Sequence, residues 1–155
     1  MEKVEIRRIV DFRELVSVMP LVLEGFEQMN KRYKAFGVTA EQFTKEMIRL
    51  VGSQPNNGVV VVWVDGEPVG YGAARENSEL FSDVRQLLLY ALYVKPKMSR
   101  KYSKPLFDYA ERLARLEGYD ELVAYNGRFS GAGFRLFEKV FGMQRQMIRF
   151  NKKIR

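Results

Sequence analysis

The 155-residue chain contains no cysteine and no histidine. The first absence excludes a disulfide framework and a thiol nucleophile. Together they exclude zinc fingers and every mechanism that needs an imidazole as base or metal ligand, so no metal is expected. Long hydrophobic runs are missing as well. The longest, Val59–Val64 and Leu87–Val94, fall far short of the roughly 20 residues of a membrane-spanning helix, and no membrane is among the expected partners. Residues 1–10 alternate charged and apolar positions and lack the apolar core and small-residue cleavage site of a signal peptide; the expected location is the cytoplasm. With 46% hydrophobic residues, a chain of this length buries roughly 70% of its unfolded surface, and one globular domain over residues 1–155 is expected.

The pattern along the chain predicts a short strand over Val4–Val10, then a capping box, Asp11-Phe12-Arg13-Glu14. The helix that follows carries Leu15, Val18, Met19, Val22, Phe26 and Met29 at three- and four-residue spacing, with Pro20 expected to interrupt or bend it. A second box, Thr39-Ala40-Glu41-Gln42, opens a helix with Phe43, Met47, Ile48 and Val51 on one face, ended by Gly52 and Pro55. Two strands, Val59–Val64 and Val69–Arg75, flank Asp65-Gly66, a dipeptide that favours a tight hairpin. Leu87–Val94 reads as a central strand buried on both faces. Leu106, Phe107, Ala110, Leu113 and Ala114 mark a further helix, with Ser103 as its cap, Pro105 in its first turn and Gly118 as its stop. A strand over Leu122–Tyr125, a short helix with Phe134, Phe137 and Phe141 closed by Gly142, and a last strand around Met147–Ile154 complete an α+β order.

The net charge of +7 is concentrated in two places. Residues 95–104 hold Lys95, Lys97, Arg100, Lys101 and Lys104 and no acid; residues 144–155 hold Arg145, Arg149, Lys152, Lys153 and Arg155 and no acid. The rest of the chain is therefore slightly acidic. The first cluster precedes a helix N-terminus, where amides and the helix dipole favour an anion. The second, on a strand, reads as a cationic edge that resists aggregation, or as a surface for a homodimer or for docking to an acidic protein. Tyr102 is the only aromatic in the first cluster and no nucleic-acid-binding motif is present, so nucleic acid is not an expected partner.

Three stretches give this order a resemblance. Trp63-Val64-Asp65-Gly66-Glu67-Pro68-Val69-Gly70-Tyr71-Gly72 looks like the second hairpin of the GNAT family of N-acetyltransferases. Leu92-Tyr93-Val94-Lys95-Pro96, continued by Leu106-Phe107-Asp108-Tyr109-Ala110, is similar to the family's cofactor strand and the helix after it. Phe134-Arg135-Leu136-Phe137-Glu138-Lys139-Val140-Phe141-Gly142 resembles its last helix. The resemblance spans nearly the whole chain. It implies a GNAT-like α+β fold: a mixed, mostly antiparallel twisted sheet of six to seven strands, about four helices and a splayed central cofactor cleft. It also implies transfer of an acetyl group from acetyl coenzyme A to a primary amine of a small molecule or protein.

In that family the cofactor lies along the central strand, here Leu92, Tyr93 and Val94, and a Gln/Arg-x-x-Gly-x-Gly/Ala loop wraps its pyrophosphate. The matching loop is Met98, Ser99, Arg100, Lys101, Tyr102, Ser103 and Lys104. In one register the motif positions are Met98, Lys101 and Ser103; in the other they are Arg100, Ser103 and Pro105. Neither contains a glycine, so the cations replace a backbone cradle. Asn126 matches a position that contacts the pantetheine arm.

The tyrosine that commonly protonates the leaving thiolate is matched by Phe137, which has no proton to give. Tyr90, Tyr102 and Tyr125 are the substitutes, and strict alternation puts Tyr90 on the face of Leu92 and Val94. For the base, Glu76 and Glu79 follow the third strand, and Glu24 and Glu27 lie on the first helix. Lysines in place of loop glycines also resemble relatives encoded by tailed bacteriophages, some carried in the virion. A catalytically degenerate binding or structural protein is thus the alternative to an enzyme, and a phage virion the alternative location.

Overall fold

The structure is a computed structural model that describes residues 1–32, 38–77, 83–124 and 136–144. The chain forms two compact units, Met1–Tyr125 and Asn126–Arg155. In the first, β1 (Val4–Arg8), β2 (Gly58–Val64), β3 (Glu67–Asn77), β4 (Gln86–Val94) and β5 (Glu121–Ala124) form one sheet in the order β1-β2-β3-β4-β5. Every pairing is antiparallel except β4–β5. The sheet thus has five strands among the described residues rather than six to seven; the strand expected around Met147–Ile154 lies outside them.

Helices α1 (Phe12–Arg32) and α2 (Ala40–Gly52) cover one face of this sheet and α3 (Ser99–Leu116) the other. All seven residues of β2 are buried because Val59, Val61 and Trp63 face α1 and α2 while Val60, Val62 and Val64 face α3. A strand covered on both sides needs this uninterrupted apolar run. The β2–β3 hairpin turns at Asp65 and Gly66, with φ of 50° and 82°, the mirror-image turn whose twist suits paired strands.

The second capping box closes reciprocally and the first only in part, its Glu14 bonding the residue before the cap. Glu14 N donates to Asp11 Oδ1 (2.7 Å) and the Glu14 carboxylate reaches back to Val10 N (3.3 Å). Thr39 and Gln42 exchange the two bonds of the second box. Pro20 does not interrupt α1, which runs through it as one helix. Pro20 and Val16 are both exposed, on the side where water can serve the carbonyl that proline leaves without a donor. On α2 the apolar face is Phe43, Met47, Leu50 and Val51; Ile48, expected to be buried, is exposed.

Helix α3 starts four residues before the expected cap at Ser103. A 3₁₀ turn, Pro96–Met98, leads straight into Ser99, so Pro105 lies inside the helix instead of in its first turn. Its ring is exposed, while Tyr102, Leu106 and Phe107 on either side of it are buried. That burial outweighs one missing backbone bond. In the second unit, Leu136–Val140 is a single π-helical turn, with Phe141 N donating to Leu136 O and Gly142 at φ 68°.

Register on β4 decides which side chains face which helices. Leu89 pairs with Ala74 and Ala91 with Ala73, so Tyr90 is an extra residue, a β-bulge. A bulge lets two successive residues point to the same side. Ala91, Tyr90 and Tyr93 consequently pack against the α1–α2 core, while Leu92 and Val94 pack with α3. Tyr90 does not share the face of Leu92 and Val94, because strict alternation fails at this residue.

Gly25 brings α1 down onto this strand. A Cβ there would lie 2.8 Å from Tyr71 Cε1 and 2.8 Å from Tyr93 Cγ, atoms of packed rings. Gly25→Ala should therefore destabilise the fold by about 1–3 kcal/mol, despite alanine's better helix propensity, as read from urea denaturation. A stabilised variant would contradict this packing.

Candidate functional site

The parallel pairing of β4 with β5 runs from Gln86↔Glu121 to Leu89↔Ala124. Beyond it, Tyr90–Val94 has a described neighbour on one side only, β3. This half-open strand leads through Lys95, whose N–H bonds Val69 O (2.9 Å), and the 3₁₀ turn into α3. No side chain caps the N-terminus of α3, a position that attracts anions.

The structure divides the loop cations into two groups. Lys101 forms an ion pair with Glu2, and Tyr102 Oη donates to the same carboxylate (2.7 Å). Tyr102 is itself a core residue, packed with Ile6 and the β2 valines, so both side chains face the β1 side of α3. Lys104 pairs with Asp108 on its own helix. Lys95, Lys97 and Arg100 have no ion-pair partner among the described residues. Helical spacing places Arg100 and Ser103 on the side of Phe107 and Ala114, and Ala114 packs with Leu87 and Leu122 of β4 and β5. Met98, half-buried like Ser99, packs with Leu92 and Val94, so the start of α3 adjoins the end of β4.

Tyr90 has a buried hydroxyl with no hydrogen-bond partner among the described residues. Burial, with the Glu46 carboxylate nearby, pushes its pKa up, so the phenol stays neutral at physiological pH. Around it stand Arg75, 6.0 Å from the ring centroid, and Glu46, bound by Arg49 at 2.9 and 2.6 Å and 4.0 Å from Arg75. The hydrogen bonds from Arg49 hold the Glu46 carboxyl below its usual range. Three residues on, Tyr93 Oη donates to Glu24 Oε2 (2.9 Å).

Glu76 is not with them. It lies within β3, paired across to Leu87, at the end of the β3–β4 pairing away from Val94, and forms an ion pair with Arg85 (3.3 Å). Glu79, Tyr125, Asn126 and the C-terminal cluster Arg145, Arg149, Lys152, Lys153 and Arg155 lie outside the described residues. Arg75, Glu46, Arg49 and Glu2 were not singled out from the sequence. Their meeting depends on strand register and on contacts as distant as Glu2 with Lys101, 99 residues apart, which no local spacing signals. Among the described residues no helix is long and apolar enough to cross a membrane.

A mixed sheet with two helices on one face, a third helix crossing over from β4 to β5 and a stretch of β4 with a described neighbour on one side only make up an α+β fold. The sequence matches the acetyltransferase (GNAT) family over residues 23–143, and the chain belongs to that family. No curated protein matches it in sequence. Among solved structures, the aminoglycoside N-acetyltransferase AAC(6')-Iy in complex with CoA is 13% identical, with TM-score 0.73 over 99% of this chain and 97% of its own. Glucosamine-6-phosphate N-acetyltransferase from Arabidopsis thaliana is 14% identical, with TM-score 0.71 over 99% of each chain. Ribosomal-protein-alanine N-acetyltransferase from Brucella melitensis biovar Abortus 2308 is 19% identical, with TM-score 0.69 over 99% of each. At these identities the likeness is one of fold.

The Glu2 contacts have a pH signature. Hydrogen bonds from Lys101 and Tyr102 and the Lys101 charge lower the Glu2 pKa in the folded chain. A carboxylate lowered in this way contributes stability above its unfolded value and loses it as pH falls through the folded one. Glu2→Gln should therefore melt earlier than the parent at neutral pH, and the gap should close as pH falls below roughly 4. A gap that persists in acid would rule out the ionised contact.

Proposed function

We propose that the chain transfers an acetyl group from acetyl coenzyme A to a primary amine. The observation that carries this reading is the stretch Tyr90–Val94, with a strand neighbour on one side only among the described residues, running directly into a helix N-terminus without a side-chain cap, beside three cations that have no ion-pair partner among the described residues. Lys95, Lys97 and Arg100 take the phosphates by side-chain charge, assisted by the Ser99 and Ser103 hydroxyls, where the family uses glycine amides. Met98, Leu92, Tyr93 and Val94 border the path of the pantetheine arm. Lys101, Tyr102 and Lys104 act on the site indirectly, by bracing α3. The structural neighbours support an amine acceptor, being acetyltransferases for an aminoglycoside, glucosamine-6-phosphate and ribosomal-protein alanine.

In the reaction the amine nitrogen bonds to the thioester carbonyl carbon, the carbon–sulfur bond breaks, and the nitrogen loses a proton as the sulfur gains one. Tyr90 is the residue for the sulfur. Its hydroxyl is neutral, has no hydrogen-bond partner among the described residues and is mounted on the bulge of the strand that borders the thioester. It donates a hydrogen bond where negative charge builds. The missing loop glycines favour one other reading, a binding module that has lost turnover, which would bind coenzyme A without acetylating any amine.

Replacing Lys95, Lys97 and Arg100 together by alanine should abolish most of the thermal stabilisation by acetyl coenzyme A, while Lys101→Ala should lower the melting temperature and leave the ligand-induced shift in place. Tyr90→Phe should reduce kcat by about 10- to 100-fold with unchanged cofactor affinity, measured as thiol release. A fully active Phe variant would remove Tyr90 from the mechanism.

A further inference from the structure

We infer that Glu24, oriented by Tyr93, is the docking point for the acceptor's ammonium group, which makes cationic primary amines the substrate class. The inference rests on the acetyl-transfer reading above. Tyr93 lies on the open half of β4, on the same face as Tyr90. Gly25 lets α1 approach until its backbone nearly touches the Tyr71 and Tyr93 rings, and this approach brings the neighbouring Glu24 within 2.9 Å of the Tyr93 hydroxyl.

The carboxylate so placed is uncompensated. Elsewhere on the α1–α2 layer Glu14 pairs with Arg7, Glu41 with Lys45 and Glu46 with Arg49; Glu24 meets no lysine or arginine among the described residues. The tyrosine occupies one lone pair of one oxygen, and the second oxygen has no partner among the described residues. A fixed carboxylate with such an oxygen, exposed to solvent at the rim of α1, is complementary to an ammonium group through a charge-assisted hydrogen bond. The tyrosine's role is to position that oxygen. The nitrogen it holds sits on the face of β4 that carries Tyr90, beside the strand edge that borders the acyl group.

The test measures thiol release from acetyl coenzyme A with spermidine, an aminoglycoside and a peptide with a free N-terminus as acceptors, alongside coenzyme A binding by calorimetry. Glu24→Gln should raise KM for the accepted amine by about tenfold or more, with kcat and coenzyme A affinity little changed, the pattern of lost ground-state binding. Glu24→Asp should recover part of it, and Tyr93→Phe should show a smaller rise. A Glu24→Gln enzyme with KM within about twofold of the parent would overturn the assignment. So would a parent that binds coenzyme A yet acetylates none of these cations. Failure of the parent to bind coenzyme A is a different result, which overturns the acetyl-transfer reading itself.

Discussion

One extra residue on β4 governs the rest of the arrangement. The bulge at Tyr90 ends strict alternation where β4 also loses its described neighbour on the β5 side. Tyr90 faces the layer of α1 and α2 by alternation from Leu87, and the bulge sets the next residue, Ala91, on that same side. A buried hydroxyl without a partner costs on the order of 1–3 kcal/mol, and it persists because the ring is fixed by the α1–α2 core and by Arg75. Unsatisfied groups in native interiors call for an explanation, and the reaction proposed above would give this hydroxyl a partner. Downstream, the same shift puts Tyr93 under Gly25 and returns Leu92 and Val94 to the α3 side, so a single strand presents phenols to one layer and aliphatic surface to the other.

Charge is sorted by the same strand. Cations without an ion-pair partner among the described residues gather after Val94, at the start of α3, while the α1–α2 side of β4 offers Glu24 and the neutralised trio of Glu46, Arg49 and Arg75. Opposite charges thus stand on different sides of β4. The Glu2 carboxylate holds α3 from the far side, bound to Lys101 and Tyr102.

Much of this fold was legible in the sequence because local rules govern it. The Asp65-Gly66 turn, the Thr39–Gln42 capping box, the Asp11 cap of α1 and the apolar run of β2 each follow from a few adjacent residues, and the motifs around Leu92–Pro96 and Leu106–Ala110 point to the family. The site was less legible. Tyr90 was assigned the wrong face because a bulge is a property of two paired strands, and Ala73, which defines it, lies far from Tyr90 in the chain. Helix α3 was started too late because Pro105 reads as a first-turn residue, whereas packing of Tyr102 and Leu106 carries the helix through it. Glu76 was favoured as a base by its place after a strand pattern; the register puts it beside Arg85 instead, and Glu24 gains its position only through the close approach at Gly25.

The account depends on acetyl coenzyme A lying along the open half of β4 with its phosphates at the start of α3. Amide hydrogen exchange of the parent protein, with and without acetyl coenzyme A, reads that placement residue by residue. Slowed exchange concentrated in Tyr90–Val94 and in the turn from Lys95 to Ser103, with β1 and β2 unchanged, is the predicted result. Exchange unaltered in both segments at millimolar ligand would contradict it.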